Sequence, residues 1–175
     1  MPLVVDASAA LKLIVDEPGS DEVRQHLREV IRTRLALMVP ALFWLEVVNV
    51  LSMRYRFAPS AIAEAVYEME QQSFATVEIG RPGVLAVIDA VARTGLTAYD
   101  AAYLTLAESA DARLVTADTR LSTAAGDRAI LVGGGGRVAE TAPTYRAEGS
   151  WATWRGAAGY LAELRSSVAQ PADHP

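Results

Sequence analysis

The chain has 175 residues, 51% of them hydrophobic, with a formal net charge of −5 and no cysteine. That apolar content suits one globular domain with a sizeable core, and the acidic balance excludes a globally basic nucleic-acid binder while permitting a local basic patch. Disulfides and thiolate metal sites are excluded, and with only His26 and His174 a zinc site built from imidazole and thiolate lacks ligands.

Leu3-Val4-Val5 is an apolar run without alternation, the mark of a strand covered on both faces, as in a parallel sheet. It stops at Asp6, and a helical pattern follows over residues 7–15, closed by Pro18-Gly19. Ser20 or Asp21 can cap a helix over 22–31 whose apolar face is Val23, Leu27, Val30 and Ile31. Arg24, Arg28 and Arg32 recur on another face; a solvated face is the preferred reading, a phosphate-binding stripe the minor one.

Residues 36–39 read as a second buried strand stopped by Pro40, and residues 41–55 as a strongly apolar helix. Glu46 shares a face of that helix with Leu42, Asn49, Val50 and Met53, and has no basic residue three or four positions away. A carboxylate on an apolar face is costly unless partnered, so it is either a core acid satisfied by an arginine or a functional acid, and the second reading is preferred. Asn49 is a core amide or an orienting group.

Pro59-Ser60 starts a helix to about residue 73, with Ile62, Val66 and Met69 inward. Residues 76–79 alternate like an edge strand, residues 80–83 read as a turn, and a helix over 84–91 ends near Thr94-Gly95. Thr97 and Asp100 have the spacing of a capping box at the next helix start. Residues 113–116 are a strand, Asp118 stands before a helix over 119–125, and residues 129–132 are the last strand. Gly133 to Gly136 read as a connector to residues 137–175, where Trp151 and Trp154 fall on one stripe of a helix expected within 150–168. The two-part division is therefore 1–132 and 133–175.

No basic stretch precedes an apolar core at the start, and the longest uncharged apolar run, 35–45, is too short for a bilayer. A cytoplasmic protein without membrane association is expected.

Taken singly, Asp6, Asp100 and Asp118 each have a helix-cap explanation. In a parallel sheet with crossover helices, however, these three and Glu46 can converge on one edge, outside the carboxyl ends of the strands. Clustered carboxylates raise one another's pKa, and a divalent cation removes the conflict; an all-oxygen set favours Mg²⁺ or Mn²⁺. Such an ion can activate water for attack on a phosphate.

Four pieces in order carry a resemblance: Val4-Val5-Asp6-Ala7-Ser8-Ala9-Ala10-Leu11; Trp44-Leu45-Glu46-Val47-Val48-Asn49-Val50-Leu51; Leu96 to Ala107 with Asp100; and Leu114-Val115-Thr116-Ala117-Asp118-Thr119-Arg120-Leu121. The pattern resembles the PIN-domain nucleases, most closely the VapC toxins of toxin–antitoxin pairs. The resemblance implies a three-layer α/β/α fold with a five-stranded parallel sheet, followed here by a C-terminal extension that the family pattern lacks. It implies a Mg²⁺- or Mn²⁺-dependent endoribonuclease with Asp6, Glu46, Asp100 and Asp118 as metal-site acids and Ser8, Asn49 and Thr116 as supporting groups. It also implies an RNA substrate, homodimerisation and inhibition by a cognate antitoxin. Two alternatives stay open: a phosphoryl-transfer enzyme with Asp6 as nucleophile, although Asp6-Ala7-Ser8 lacks the second acid of Asp-x-Asp phosphatases, and a non-catalytic binding module.

Overall fold

The apolar runs near residues 3, 37 and 113 lie side by side, in a computed structural model, at the centre of a five-stranded parallel sheet. The structure describes residues 1–133, so the expected helix within 150–168 and nearly all of the C-terminal extension lie outside the described residues. The strands are β1 (Leu3–Val5), β2 (Leu37–Pro40), β3 (Phe74–Val77), β4 (Arg113–Thr116) and β5 (Ala129–Leu131), in the spatial order β3-β2-β1-β4-β5. The helices are α1 (Ala7–Ala10), α2 (Ser20–Arg32), α3 (Phe43–Met53), α4 (Pro59–Glu70), α5 (Arg81–Thr94), α6 (Ala98–Ser109) and α7 (Thr119–Ala125). Together they make a three-layer α/β/α arrangement.

The chain builds outward from β1 through β2 to β3, then returns to the other side of β1 for β4 and β5. The strand order therefore reverses between β1 and β4. In doubly wound sheets the crevice outside the strand ends at such a point is where ligands bind. Helix α6 packs over β1, β2 and β4, and α5 packs on α6. The core is formed by Val4, Val5, Val39, Phe43, Leu51, Tyr103, Leu104, Leu114 and Leu121, all essentially without solvent contact.

Several local expectations shift. The turn expected over 80–83 is the start of α5, which begins at Arg81 with Pro82 in its first turn, where a missing N–H costs nothing. The edge strand is Phe74–Val77 rather than 76–79; Phe74 packs against Phe43 at 5.6 Å between ring centres, which draws the strand inward earlier. Ser20 does not cap α2: its hydroxyl accepts from the Glu17 amide (3.0 Å) and donates to the Val15 carbonyl (3.3 Å), closing the loop before the helix. Ile31, expected on the apolar face of α2, is half exposed, because the buried stripe is Val23, Leu27 and Val30. Arg24 and Arg32 pair with Asp21 and Glu29 on their own helix, in keeping with a solvated face.

Gly133 is more than a spacer. It has φ +67°, and a Cβ there would lie 2.4 Å from the Pro18 carbonyl oxygen. Only glycine fits that approach. Its amide donates to Glu22 (3.1 Å), so the chain is held against the loop before α2 as it leaves the sheet.

Candidate functional site

Asp6 follows the last residue of the central strand β1 and is buried, with 6% of its surface exposed. Its backbone carbonyl accepts from Ala9 and Ala10 and so starts α1, but its side chain does not cap that helix. The carboxylate instead takes two hydroxyls on the same oxygen. Ser8 donates to Oδ2, and Thr116, at the end of β4, donates to Oδ2 at 2.8 Å. Ser8 Oγ accepts from the Ala117 amide (2.9 Å) and Thr116 Oγ1 accepts from the Asp118 amide (3.0 Å). The exits of β1 and β4 are thus stitched together through Ser8 and Thr116.

Glu46 lies in the first turn of α3. Among the described residues no arginine pairs with it. Its partner is Tyr103 of α6, whose hydroxyl donates to Oε2 at 2.5 Å. Asp100 stands three residues before Tyr103. Thr97 Oγ1 donates to its Oδ2 (2.7 Å) and accepts from its amide (3.2 Å), so the expected cap exists and also holds the carboxylate. Asp118 caps α7: its Oδ1 accepts from the amides of Arg120 (2.7 Å) and Leu121 (2.9 Å). Asn49 is exposed on α3, one turn beyond Glu46.

Electrostatics link three of the acids. Burial raises Asp6 above its ordinary value of 3.8; the Ser8 and Thr116 hydroxyls partly oppose this, and the charge of Asp100 adds to it. Glu46 is raised above 4.5, first by burial and further by Asp6 and Asp100, against the Tyr103 hydrogen bond. The Tyr103 phenol is pushed far up by burial, then by Asp6 and Glu46. Asp6, Glu46, Asp100 and Tyr103 therefore share one electrostatic neighbourhood. Among the described residues no ion pair reaches Asp6, Glu46, Asp100 or Asp118.

The donor chemistry suits a hard divalent cation: oxygen ligands and uncompensated negative charge. Among the described residues, however, no three His, Cys, Asp or Glu side chains are drawn together as a ready ligand group. Tyr103 escaped the sequence reading. A phenol within an otherwise small and apolar helix, one turn from Asp100, was the available signal, because a buried hydroxyl needs a partner.

A family model for the PIN domain matches residues 3–127. Among solved structures, PAE2754 from Pyrobaculum aerophilum is 27% identical, with 74% of this chain and 83% of that chain covered and a TM-score of 0.55. A toxin–antitoxin complex from Klebsiella pneumoniae is 18% identical, covering 73% and 95% of the two chains, with a TM-score of 0.54. VapBC2 from Rickettsia felis, bound to a DNA fragment from their promoter, is 12% identical, covering 75% and 97%, with a TM-score of 0.58. Among curated proteins none matches this sequence.

Proposed function

The chain belongs to the PIN-domain family, and from that premise we propose that it is a Mg²⁺- or Mn²⁺-dependent endoribonuclease, the toxin of a VapC-type toxin–antitoxin pair. The observation that carries the reading is uncompensated carboxylate charge at the point where the strand order reverses: Asp6 and Glu46 are raised by burial and by neighbouring acids, and among the described residues no cation pairs with them. The two neighbours described as a toxin–antitoxin complex and as VapBC2 support the biological setting.

In this reading Asp6, Glu46, Asp100 and Asp118 would hold the ion, and Ser8, Thr116 and Asn49 would support them. A divalent ion held there would supply polarisation of the RNA phosphodiester and activation of water. Ser8 and Thr116 keep Asp6 oriented at a strand exit where burial alone would favour its protonated form. Asp118 is fixed by the start of α7, and Asp100 by Thr97. An acidic crevice suits a basic segment of a cognate antitoxin, which would cover the site. Leu45, Val48 and Met53 of α3 and Val84, Leu85 and Ile88 of α5 are exposed and give apolar surface for a partner or a second copy. Among the described residues no helix is long and apolar enough to cross a membrane.

The test is RNA cleavage by the purified chain with Mg²⁺ or Mn²⁺. Asp6→Asn and Glu46→Gln keep the circular dichroism of the wild type and lose cleavage by more than about 100-fold, beyond what loss of an outer-sphere partner produces. Cleavage that survives a chelator, or that either variant retains in full, overturns the reading. Metal-independent hydrolysis of a small phosphate ester would point instead to Asp6 as a nucleophile.

A further inference from the structure

Tyr103 has no part in holding the ion as described, yet it is among the largest fully buried side chains of the core. Packing at such a position is satisfied by phenylalanine, and a hydroxyl there is unfavourable unless it finds a partner. Its partner is Glu46 Oε2, on a different helix and 57 positions away in the chain. Asp6 is treated in the same way, with Ser8 and Thr116 both on Oδ2. In each acid hydroxyl donation falls on one carboxylate oxygen only, from two donors at Asp6 and from one at the half-buried Glu46.

We infer that Tyr103 is a positioning residue for Glu46: its hydroxyl holds Oε2 and leaves the other oxygen, Oε1, available to a divalent cation. A glutamate has three side-chain torsions, and fixing them costs conformational entropy that a metal would otherwise have to offset on binding. Tyr103 meets that cost in advance, because its ring is locked by the core and its hydroxyl reaches Glu46 from there. Groups that orient a metal ligand typically alter metal affinity or activity by about 10–100-fold when removed. The inference rests on the metal-dependent nuclease reading and adds a residue to it.

The experiment is Mn²⁺ binding by calorimetry on the wild type, Tyr103→Phe, Glu46→Gln and the double variant, with thermal melts in chelator as the folding control. Tyr103→Phe binds Mn²⁺ about tenfold or more weakly, and kcat for RNA falls more than KM rises. The double variant binds no more weakly than Glu46→Gln alone, because the tyrosine acts only through the glutamate. Unchanged affinity in a folded Tyr103→Phe, or a loss that adds in full to that of Glu46→Gln, overturns the inference while the nuclease reading stands. A wild type that binds no Mn²⁺ overturns both. If Tyr103→Phe does not fold, fluorotyrosine-labelled wild type takes its place, with Tyr103 assigned by single replacement of the other tyrosines. Its resonance moves on adding Mg²⁺ in the wild type and stays put in Glu46→Gln; indifference to Mg²⁺ in the wild type overturns the inference.

Discussion

At the exit of β1, Leu3–Val5 leads into Asp6 and α1; at the exit of β4, Arg113–Thr116 leads through Ala117 into Asp118 and α7. Both exits show an apolar run, an acid and a helix, and on sequence each acid has the same helix-cap explanation. They are used differently. Asp118 spends Oδ1 on two amides of α7. Asp6 leaves the start of α1 to its backbone carbonyl and gives its side chain to hydroxyls from Ser8 and from the neighbouring strand. A strand exit in the middle of the sheet is surrounded by other strands, so tertiary partners outcompete the local cap. An acid that lies beyond a spacer residue stays with its own helix. The pattern alone therefore identifies candidates and does not separate a structural acid from a desolvated one.

Thr116→Val tests the stitch between the two exits and carries the largest expected effect on stability. It removes a hydroxyl that donates to Asp6 and accepts the Asp118 amide, at a site with no solvent contact. A loss of about 2–3 kcal/mol follows from stranding buried polar groups, and urea unfolding measures it. A loss below about 0.5 kcal/mol would mean that the two exits are not coupled.

Asp118→Ala sharpens the contrast from the β4 side. Losing the cap costs about 1 kcal/mol, in both the presence and absence of chelator, by the same measurement. A cost that vanished in the absence of metal would show that Asp118 contributes to folding only through an ion.

Asp6→Asn acts with the opposite sign. Because the folded protein raises Asp6 above 3.8, its charged form opposes folding. In metal-free protein that penalty develops as pH rises through the raised value, and it is gone below the ordinary one. Asp6→Asn therefore melts above the wild type near neutral pH in chelator, as thermal melts measure. The gap closes as the solution is acidified towards 3.8. Equal melting temperatures across that range would show that Asp6 carries no desolvation penalty.

Much of the fold was legible because its signals are local. Unalternating apolar runs mark the central strands, Gly95 with φ +68° ends α5, and Thr97 and Asp118 cap the helices that follow them. The misses have local causes too. Pro82 and its flanking glycines read as a turn although proline is well placed in a first helical turn. Ser20 looked like a cap although its hydroxyl closes the preceding loop. Tyr103 and Gly133 were missed for another reason: one is defined by a glutamate on another helix, the other by a carbonyl near residue 18.

The order of residues along the chain by itself determined the alternation of strand and helix and singled out four acids as candidates, because periodicity and turn chemistry act over a few residues. Only the tertiary structure decided that Asp6 is desolvated while Asp118 serves its helix, and that a tyrosine meets Glu46. Those outcomes depend on contacts spanning 110 and 57 positions of sequence, which no local pattern encodes.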